Sequence, residues 1–257
     1  MNRGILYISL SGLLATAAYG VSVGRKAELS RVSSAQAPVA AVPSPAGWSW
    51  ESRAKLHRVM RAVPGDLVID GTGIDFRSKD KEFSQRWSYG EIQTLDLWPR
   101  FVELRTYEKR GLFRPGLRRF RFDLESELPP DVAARAAQRM GKPVRNGNPE
   151  PKAPAFATLP ALHLTAFGGS KGNGVLRFRA EGIDYVSEVP EDSRSWRWAD
   201  LQTLSNLDPY HFAVFGYRET YSFDLKQPMS RDLFDRLTDE VYAHNPDFVS
   251  SAQSAKP

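Results

Sequence analysis

The 257-residue sequence contains no cysteine, and this absence excludes several kinds of chemistry at once. Disulfides, thiolate metal sites and a cysteine nucleophile all require a thiol. The spacings HExxH and GxxxxGK[ST], which are typical of zinc proteases and phosphate-binding loops, are also absent. The rest of the composition is ordinary for a globular protein, with 41% hydrophobic and 25% charged residues. The composition therefore excludes some reactions and selects none.

Long hydrophobic runs are also absent, except at the N terminus. Residues 4–23 carry no charge, follow Arg3 and include the small residues Ala15, Thr16, Ala17 and Ala18. This pattern is typical of a signal peptide cleaved after Ala17 or Ala18. About 20 apolar residues also suffice to span a bilayer, and the basic residues that follow the run leave its orientation open. We expect export to the periplasm or the medium, with a membrane anchor formed by residues 4–24 as the alternative.

Charge is absent from residues 32–47, which consist mostly of Ala, Ser, Pro and Val. Such a composition cannot build a core and favours a flexible tether. A second stretch, residues 141–160, contains five prolines and separates two similar halves. We predict a signal peptide or anchor (1–24), a flexible linker (25–50), a first domain (51–141), a proline-rich linker (142–156), a second domain (157–248) and a disordered tail (249–257).

The two halves are copies of one unit. Residues 65–95 and 174–204 align without a gap at an offset of 109, and 12 of the 31 aligned positions are identical. Such self-similarity indicates the duplication of a structural unit. The charge has diverged, because residues 51–150 contain 20 basic and 15 acidic side chains, whereas residues 151–257 contain 11 and 14. We expect the repeated residues to serve the fold and the differing ones to serve function.

Alternation of apolar and polar residues predicts that most of each repeat is β-strand, including one long strand over Arg86–Leu97. The period changes at PPDVAARAAQRMG (129–141), which predicts a helix that Gly141 ends. SRDLFDRLTDEVYAHN (230–245) predicts the matching helix with Ser230 as N-cap. Its inner face would hold Leu233, Phe234, Leu237, Val241 and Tyr242. The predicted fold is mainly β with C-terminal helices (α+β), as two tandem barrels of six to seven antiparallel strands, each capped by one amphipathic helix.

Both halves share a pattern of G-x-L, then G-I-D-(F/Y), then W-x-(Y/W)-x-x-(I/L)-Q-T-L, then F-D-L before the helix. This pattern resembles the pleckstrin-homology-like (PH-like) superfold in its bacterial and GRAM-like branches. The resemblance covers about 54–141 and 157–246 and implies tandem PH-like barrels, each plugged by its helix. Lipid-binding members carry many basic residues in an early loop, whereas residues 62–66 have none and residues 168–174 have only Lys171. The resemblance therefore does not imply phosphoinositide binding.

No residue is predicted to be catalytic or to bind a metal, and no cofactor is expected. His57 and His163 each follow a leucine in the first strand of a repeat, and we interpret both as structural. The repeated Asp75 and Asp184 are expected to cap backbone amides of the Gly-Ile-Asp turns. The glycine-rich residues 168–174 are interpreted as a hairpin, since they lack the spacing of a phosphate-binding loop.

The first repeat contains an insertion that the second lacks. The offset falls from 109 to 101 at the Phe-Asp-Leu triplets (122–124 and 223–225), which gives the first repeat a hairpin about eight residues longer. Basic residues around an apolar tip suit an anionic membrane surface or an acidic protein partner. The alternative is a solvated hairpin whose arginines pair with Glu103, Glu108 and Asp123. The candidate binding residues are Lys109, Arg110, Phe113, Arg114, Arg118 and Arg119.

Together these features predict a non-enzymatic, exported or membrane-tethered adaptor. Its first domain would dock on anionic lipid headgroups or an acidic protein through the basic hairpin. Nucleic acid is not expected as a partner, because the second repeat is acidic and the chain is predicted to be exported. One alternative is a module that binds a peptide strand beside the C-terminal helix of either repeat, without membrane binding. Another is an enzyme of unknown type, which would need His57, Asp75 and a partner to converge.

Overall fold

The order of strands and helices is the same in both halves of the chain. The computed structural model describes residues 47–58, 61–109, 117–165 and 169–245. The first repeat comprises β1 (Ser49–His57), β2 (Ala62–Asp70), β3 (Gly73–Ser78), β4 (Gln85–Ser88), β5 (Ile92–Leu97), β6 (Phe101–Lys109), β7 (Leu117–Leu124) and α1 (Pro130–Met140). A short strand, β8 (Arg145–Asn146), follows. The second repeat comprises β9 (Ala157–Leu164), β10 (Ser170–Arg179), β11 (Gly182–Ser187), β12 (Arg194–Arg197), β13 (Leu201–Asp208), β14 (His211–Gly216), β15 (Thr220–Leu225) and α2 (Arg231–His244).

Both predicted helices are confirmed. Gly141 ends α1 in the left-handed conformation with φ +63°, which a residue with a Cβ rarely adopts. Ser230 caps α2 by accepting a hydrogen bond from the Leu233 amide at 3.2 Å. Leu237 and Val241 of α2 are buried, whereas Tyr242 is 45% exposed, so its predicted place on the inner face is wrong.

Each repeat has its own hydrophobic core, built on a tryptophan that is repeated at an offset of 109. Trp87 packs on Phe120 with ring centroids 4.6 Å apart, and α1 covers this core with Val132, Ala136 and Met140. Trp196 packs edge-on against Tyr221 at 5.1 Å, and Leu237 and Val241 of α2 cover that core. The repeated tryptophans therefore belong to the fold, as predicted.

The glycine of each Gly-Ile-Asp triplet is required by the close approach of two strands. A Cβ at Gly73 would lie 2.1 Å from the carbonyl oxygen of Trp87, and one at Gly182 would lie 1.9 Å from that of Trp196. The aspartates do not cap the turn as predicted. Asp75 instead binds Arg77 at 2.9 Å, and Asp184 binds Arg179 at 2.9 Å. Asp184 is fully buried, and burial raises its pKa although Arg179 opposes the shift.

The prediction of two tandem barrels is wrong. In the described part of the chain, all strands belong to one 15-stranded sheet in the order β13-β14-β15-β9-β10-β11-β12-β8-β5-β6-β7-β1-β2-β3-β4. To close a barrel, β4 would have to pair with β5, but these strands lie at opposite ends of the first repeat's order. The cause is local, because the predicted strand Arg86–Leu97 is interrupted after Ser88. Glu91 Oε2 accepts hydrogen bonds from both the amide and the hydroxyl of Ser88 at 2.7 Å, which stabilises a turn between β4 and β5.

The sheet is continuous because β8, in the segment predicted as a linker, pairs with both repeats. It is antiparallel to β12, with Asn146 opposite Ser195, and parallel to β5, with Arg145 opposite Asp96. The amide of Gly147 also donates to the carbonyl of Leu97 at 2.8 Å. A strand of two residues has too few hydrogen bonds to hold this position alone.

Side chains supply the remaining stabilisation at this junction. Asp96, only 3% exposed, binds Arg145 with an Nη2–Oδ2 distance of 2.5 Å and also binds Arg218 of the second repeat. Arg197 pairs with Asp200 at 2.6 Å and donates to the carbonyls of Ala137 and Lys142. The repeats therefore meet through arginines that bind carboxylates and helix-end carbonyls.

Several predictions made from the sequence lie outside the described residues. They are the signal peptide or anchor, nearly all of the first linker, and the tail at 249–257. Within the described ranges no helix has both the length and the apolar character needed to cross a bilayer.

Replacing the central carboxylate tests the junction. We expect Asp96→Asn to lower the free energy of unfolding by about 2–3 kcal/mol in urea denaturation, because two guanidinium groups lose their counter-charge. The effect is smaller than the ~3–5 kcal/mol of a fully buried pair because Arg145 is 35% exposed. Ser205, at the matching position of the second repeat, provides the control, and Ser205→Ala should change stability by less than about 0.5 kcal/mol. Equal stability of the two variants would contradict the role given to Asp96.

Candidate functional site

The structure describes only part of the predicted basic hairpin. Arg118 and Arg119 lie in β7, and Lys109 is described by its backbone at the end of β6. Arg110, Phe113 and Arg114 lie outside the described residues. Arg118 and Arg119 are neighbours in a strand, so their side chains project from opposite faces of the sheet. The candidate residues that can be located therefore do not form one surface.

Arg119 belongs to a surface on the outer side of β6 and β7. It lies opposite Arg105, while Arg121 lies opposite Glu103. These three arginines, which we call the arginine face, have side chains that are 47% (Arg105), 49% (Arg119) and 42% (Arg121) exposed. Two like charges directly opposite each other in an antiparallel pair destabilise the sheet.

Two carboxylates partly neutralise the arginine face. Glu103 binds Arg119 at 2.5 Å, and Asp123 binds Arg121 at 3.3 Å. The pairing expected for a solvated hairpin is therefore present at Glu103 and Asp123, whereas the side chain of Glu108 lies outside the described part of the chain. Three guanidinium groups still share two carboxylates, so the surface remains positively charged.

Arg118 lies on the inner side of β7, where its guanidinium is 5.2 Å from the centre of the Phe120 ring. Arg58 is 5.8 Å from the same ring. Burial and the charge of Arg118 together lower the pKa of Arg58. The inner end of the hairpin therefore also concentrates positive charge.

A cavity of about 290 Å³ lies beside β4 and was not predicted from the sequence. Two buried polar groups in its wall, Trp87 Nε1 and Thr106 Oγ1, have no hydrogen-bond partner, and both residues are 2% exposed. An unsatisfied buried polar group costs about 1–3 kcal/mol, and both atoms are closed off from solvent, so they lie behind the cavity surface. The lining residues are Gln85, Arg86, Trp87, Gly90, Glu91, Thr106 and Tyr107.

A second depression, of about 520 Å³, lies on the other side of the first repeat along β1, β2 and β3. Arg53, Arg77 and Lys79 line it together with the carboxylates of Asp66 and Glu125. The three basic and two acidic side chains that line this depression nearly balance, so its charge favours neither an anionic nor a cationic ligand.

The second repeat contains a buried histidine–aspartate pair. His163 Nδ1 is 2.7 Å from Asp192 Oδ2, and the side chains are 5% and 2% exposed. Tyr221 stacks on the imidazole at 4.1 Å, and the ammonium of Lys171 is 3.8 Å from Asp192. Burial lowers the pKa of His163, although the hydrogen bond to Asp192 opposes that shift.

His57 is not the counterpart of His163, so the predicted equivalence is wrong. In the sheet, His163 pairs with Gly172 and Leu56 pairs with Val63. Gly172 follows Val63 by 109 residues, the offset of the repeat, so Leu56 is the counterpart of His163. His57 is one position further along, on the opposite face, where it is half exposed and binds Asp123. The enzyme considered from the sequence would need His57, Asp75 and a partner to converge. His57 binds Asp123, whereas Asp75 binds arginines, so the two residues do not share a partner. In the described ranges no cluster of His, Asp and Glu side chains could hold a metal ion.

Comparisons with known proteins add little to this geometry. No protein-family model matches the chain, and no curated protein matches it. Among the solved structures that the chain resembles is one titled "Structure of the Spt16D Pob3N heterodimer", with 9% identity and a TM-score of 0.29. The similarity covers 65% of this chain and 82% of that chain. A TM-score this low assigns neither a fold family nor a function.

The histidine–aspartate pair makes a prediction about stability and pH. The pKa of His163 is lower in the folded than in the unfolded chain, where it is about 6.5. Its contribution to stability is therefore complete above about pH 6.5 and is lost as the pH falls, because the unfolded chain binds the proton more readily.

The first repeat has Leu56 and Phe83 at the corresponding positions, so the double variant His163→Leu, Asp192→Phe should fold. We expect its free energy of unfolding to fall less between pH 7 and pH 5 than that of the wild type, when both are measured by urea denaturation. The same pH dependence in both proteins would show that His163 does not cause it.

Proposed function

We propose that the chain is a non-enzymatic binding protein, exported or membrane-tethered through residues 4–24, whose first repeat docks on an anionic lipid surface. The arginine face and the adjoining hairpin form the docking surface. The observation that carries the proposal is the placement of Arg105 opposite Arg119, with both side chains about half exposed. Glu103 contacts both guanidinium groups, at 3.9 Å from Arg105 and 2.5 Å from Arg119, so two arginines share one carboxylate and an anionic surface would add counter-charge.

Neighbouring residues support a lipid surface. Tyr107 follows Arg105 by two positions and is 54% exposed, and tyrosine is favoured at membrane interfaces. The hairpin sequence adds Leu112 and Phe113 between further arginines. Each basic residue near an anionic membrane contributes about 1 kcal/mol, so the arginine face and hairpin together suffice for reversible binding.

The second repeat is not equivalent in this respect. The connection between β14 and β15 is short, and its Arg218 is committed to Asp96 at the junction. The insertion in the first repeat adds Arg110 and Arg114, which have no counterpart in the second repeat. This asymmetry supports a protein in which one repeat binds and the other stabilises it.

The histidines support a non-enzymatic role. Each is engaged in a contact that serves the fold, His57 with Asp123, His163 with Asp192, His211 with Asp208 and His244 with the carbonyl of Glu240.

Vesicle binding tests the proposal. We expect the full chain to co-sediment with vesicles containing phosphatidylserine and to lose about 100-fold in partition coefficient in the triple variant Arg110→Ser, Arg114→Ser, Arg119→Ser, because three charges contribute about 3 kcal/mol. The matched control removes three exposed cations from elsewhere, through Lys152→Ser, Lys226→Ser and Arg231→Ser, and should bind nearly as the wild type does.

Equal losses in the two triple variants would mean that net charge alone drives binding, and this would overturn the proposed surface. Binding of neither protein to vesicles would leave an acidic protein as the partner and would refute docking on lipid.

A further inference from the structure

The strands β5 and β13 hold the same place in the two repeats, and each pairs with the strand that follows it. β13 ends the order of strands, and none of the described strands lies on its outer side. β8 lies on the outer side of β5, so the peptide site expected beside the helix of the first repeat is filled by the chain itself. The molecule therefore provides its own comparison for what covers this edge.

The exposure of matching residues reflects the difference between the two edges. Leu97 of β5 is 0% exposed, whereas the matching Asn206 of β13 is only partly buried. In the turn that follows, Trp98 is partly buried and the matching Leu207 is 87% exposed. The unpaired amides and carbonyls of an edge strand favour pairing with another segment of chain. The β13 edge is therefore open among the described residues.

β8 reaches β5 directly from the end of α1. The ammonium of Lys142, two residues past α1, donates to the carbonyl of Ile92 at 2.8 Å. Pro143 follows, and Arg145 and Asn146 then pair in parallel with β5. The segment that leaves the helix is thus anchored at the first residue of the strand and then runs along that strand.

The end of α2 repeats this anchor. The side-chain amide of Asn245, the first residue past α2, donates to the carbonyl of Leu201 at 3.1 Å. Leu201 begins β13 and matches Ile92 at the offset of 109. Pro246 follows, as a proline also follows Lys142, and proline prevents the helix from continuing. Both segments therefore leave their helix at the same point of the sheet edge.

The sequence that follows α2 fits the edge. Residues 246–257 lie outside the described part of the chain and read PDFVSSAQSAKP. Counted in the register of β8, Phe248 comes opposite Ser205 and Val249 opposite Asn206. Phenylalanine and valine are favoured in strands. Five extended residues span about 17 Å, which is enough to follow β13 from its first residue to Asn206.

Residue size at the far end of the edge is also complementary. Gly147 follows β8, and its amide donates to the carbonyl of Leu97 at 2.8 Å. A Cβ at Gly147 would lie 2.4 Å from the ring of Trp98, so the indole requires glycine there. The second repeat has Leu207 and Ser250 at these two positions. The smaller leucine leaves room for the Cβ of serine.

The side chains at the paired positions change together. The ion pair between β5 and β8 is replaced by Phe248 and Ser205, so no buried charge is left without a partner. Val144, which precedes β8, binds Asp200 of the second repeat through its amide. Asp247 takes that position, and since no described strand covers the outer side of β13, its carboxylate would stay in solvent.

A tethered segment is favoured over a free one. Because Asn245 is held at the start of β13, the residues after it are present at the edge at about millimolar effective concentration, which a separate peptide or second copy would have to exceed. We propose that residues 246–250 add to the edge of β13 as a parallel strand of the same molecule, in the register that β8 adopts on β5. The second repeat then closes the edge on which a partner peptide was expected, and the predicted disordered tail begins after Ser250.

Disulfide formation tests the register, and the absence of native cysteine makes it selective. Partners in adjacent strands lie about 4.8 Å apart, within the Cα range of a disulfide. In the full chain we expect Ser205→Cys, Phe248→Cys to form an intramolecular disulfide on mild oxidation, detected by mass spectrometry. The matched control is Ser205→Cys, Val249→Cys, which should react at least about tenfold more slowly because its second thiol projects from the opposite face.

Proline variants of the full chain test the hydrogen bonds. As the amide of Gly147 faces β5, that of Ser250 should face β13 and that of Val249 should face away. We expect Ser250→Pro to bind a fluorescent peptide of residues 246–257 at least about tenfold more tightly than the wild type, because its own segment no longer closes the edge. The matched control, Val249→Pro, should bind the peptide as weakly as the wild type does.

Equal rates of disulfide formation in the two double variants would overturn the proposal. Equal peptide binding by the wild type and Ser250→Pro would do so as well. Disulfide-linked dimers in dilute protein would assign the edge to a second copy and would refute pairing within one molecule. All of these positions lie outside the arginine face, so vesicle binding should be unchanged, and this test fails independently of lipid docking.

Discussion

The structure depends on one buried carboxylate, that of Asp96, which lies between Arg145 of the connecting segment and Arg218 of the second repeat. A carboxylate that is 3% exposed is unstable without counter-charges, so these three parts of the chain must come together. Their meeting fixes the two-residue strand β8 between β5 and β12 and joins two duplicated units into one sheet. The same event leaves β4 without a neighbour among the described residues, and it commits Arg218 of the second repeat to the junction.

Duplication followed by divergence explains the division of roles between the repeats. The residues that hold each unit together, such as Gly73 with Gly182 and Trp87 with Trp196, are unchanged because each meets a steric or packing requirement. Positions that meet the other repeat or the solvent have changed, as Asp96 and Ser205 illustrate. The buried His163–Asp192 pair shows that a position inside one repeat has also changed, since Leu56 and Phe83 hold the corresponding positions in the first repeat.

Much of this fold follows from the sequence, and the remainder does not for physical reasons. The helices were predictable because Gly141 and Ser230 are local signals of helix ends. The continuous sheet was not predictable, because β8 has only two residues and therefore no periodicity. Its position depends on ion pairs of Asp96 with residues about 50 and 120 positions further along the sequence. The equivalence drawn between His57 and His163 failed because a shift of one residue in a strand reverses the face. The basic hairpin could be predicted because it is an insertion in the sequence. The cavity beside β4 could not, because nothing in the sequence places Thr106 next to β4 before the strands are paired.

The central claim is that the ion pairs of Asp96 hold β8 against both repeats. Hydrogen–deuterium exchange at two amides measures this directly, namely Gly147, which donates to Leu97, and Val144, which donates to Asp200. In the wild type both amides should exchange slowly. In Asp96→Asn both should exchange much faster, while amides inside the cores of the two repeats keep their protection. Unchanged slow exchange of Gly147 and Val144 in Asp96→Asn would contradict the claim.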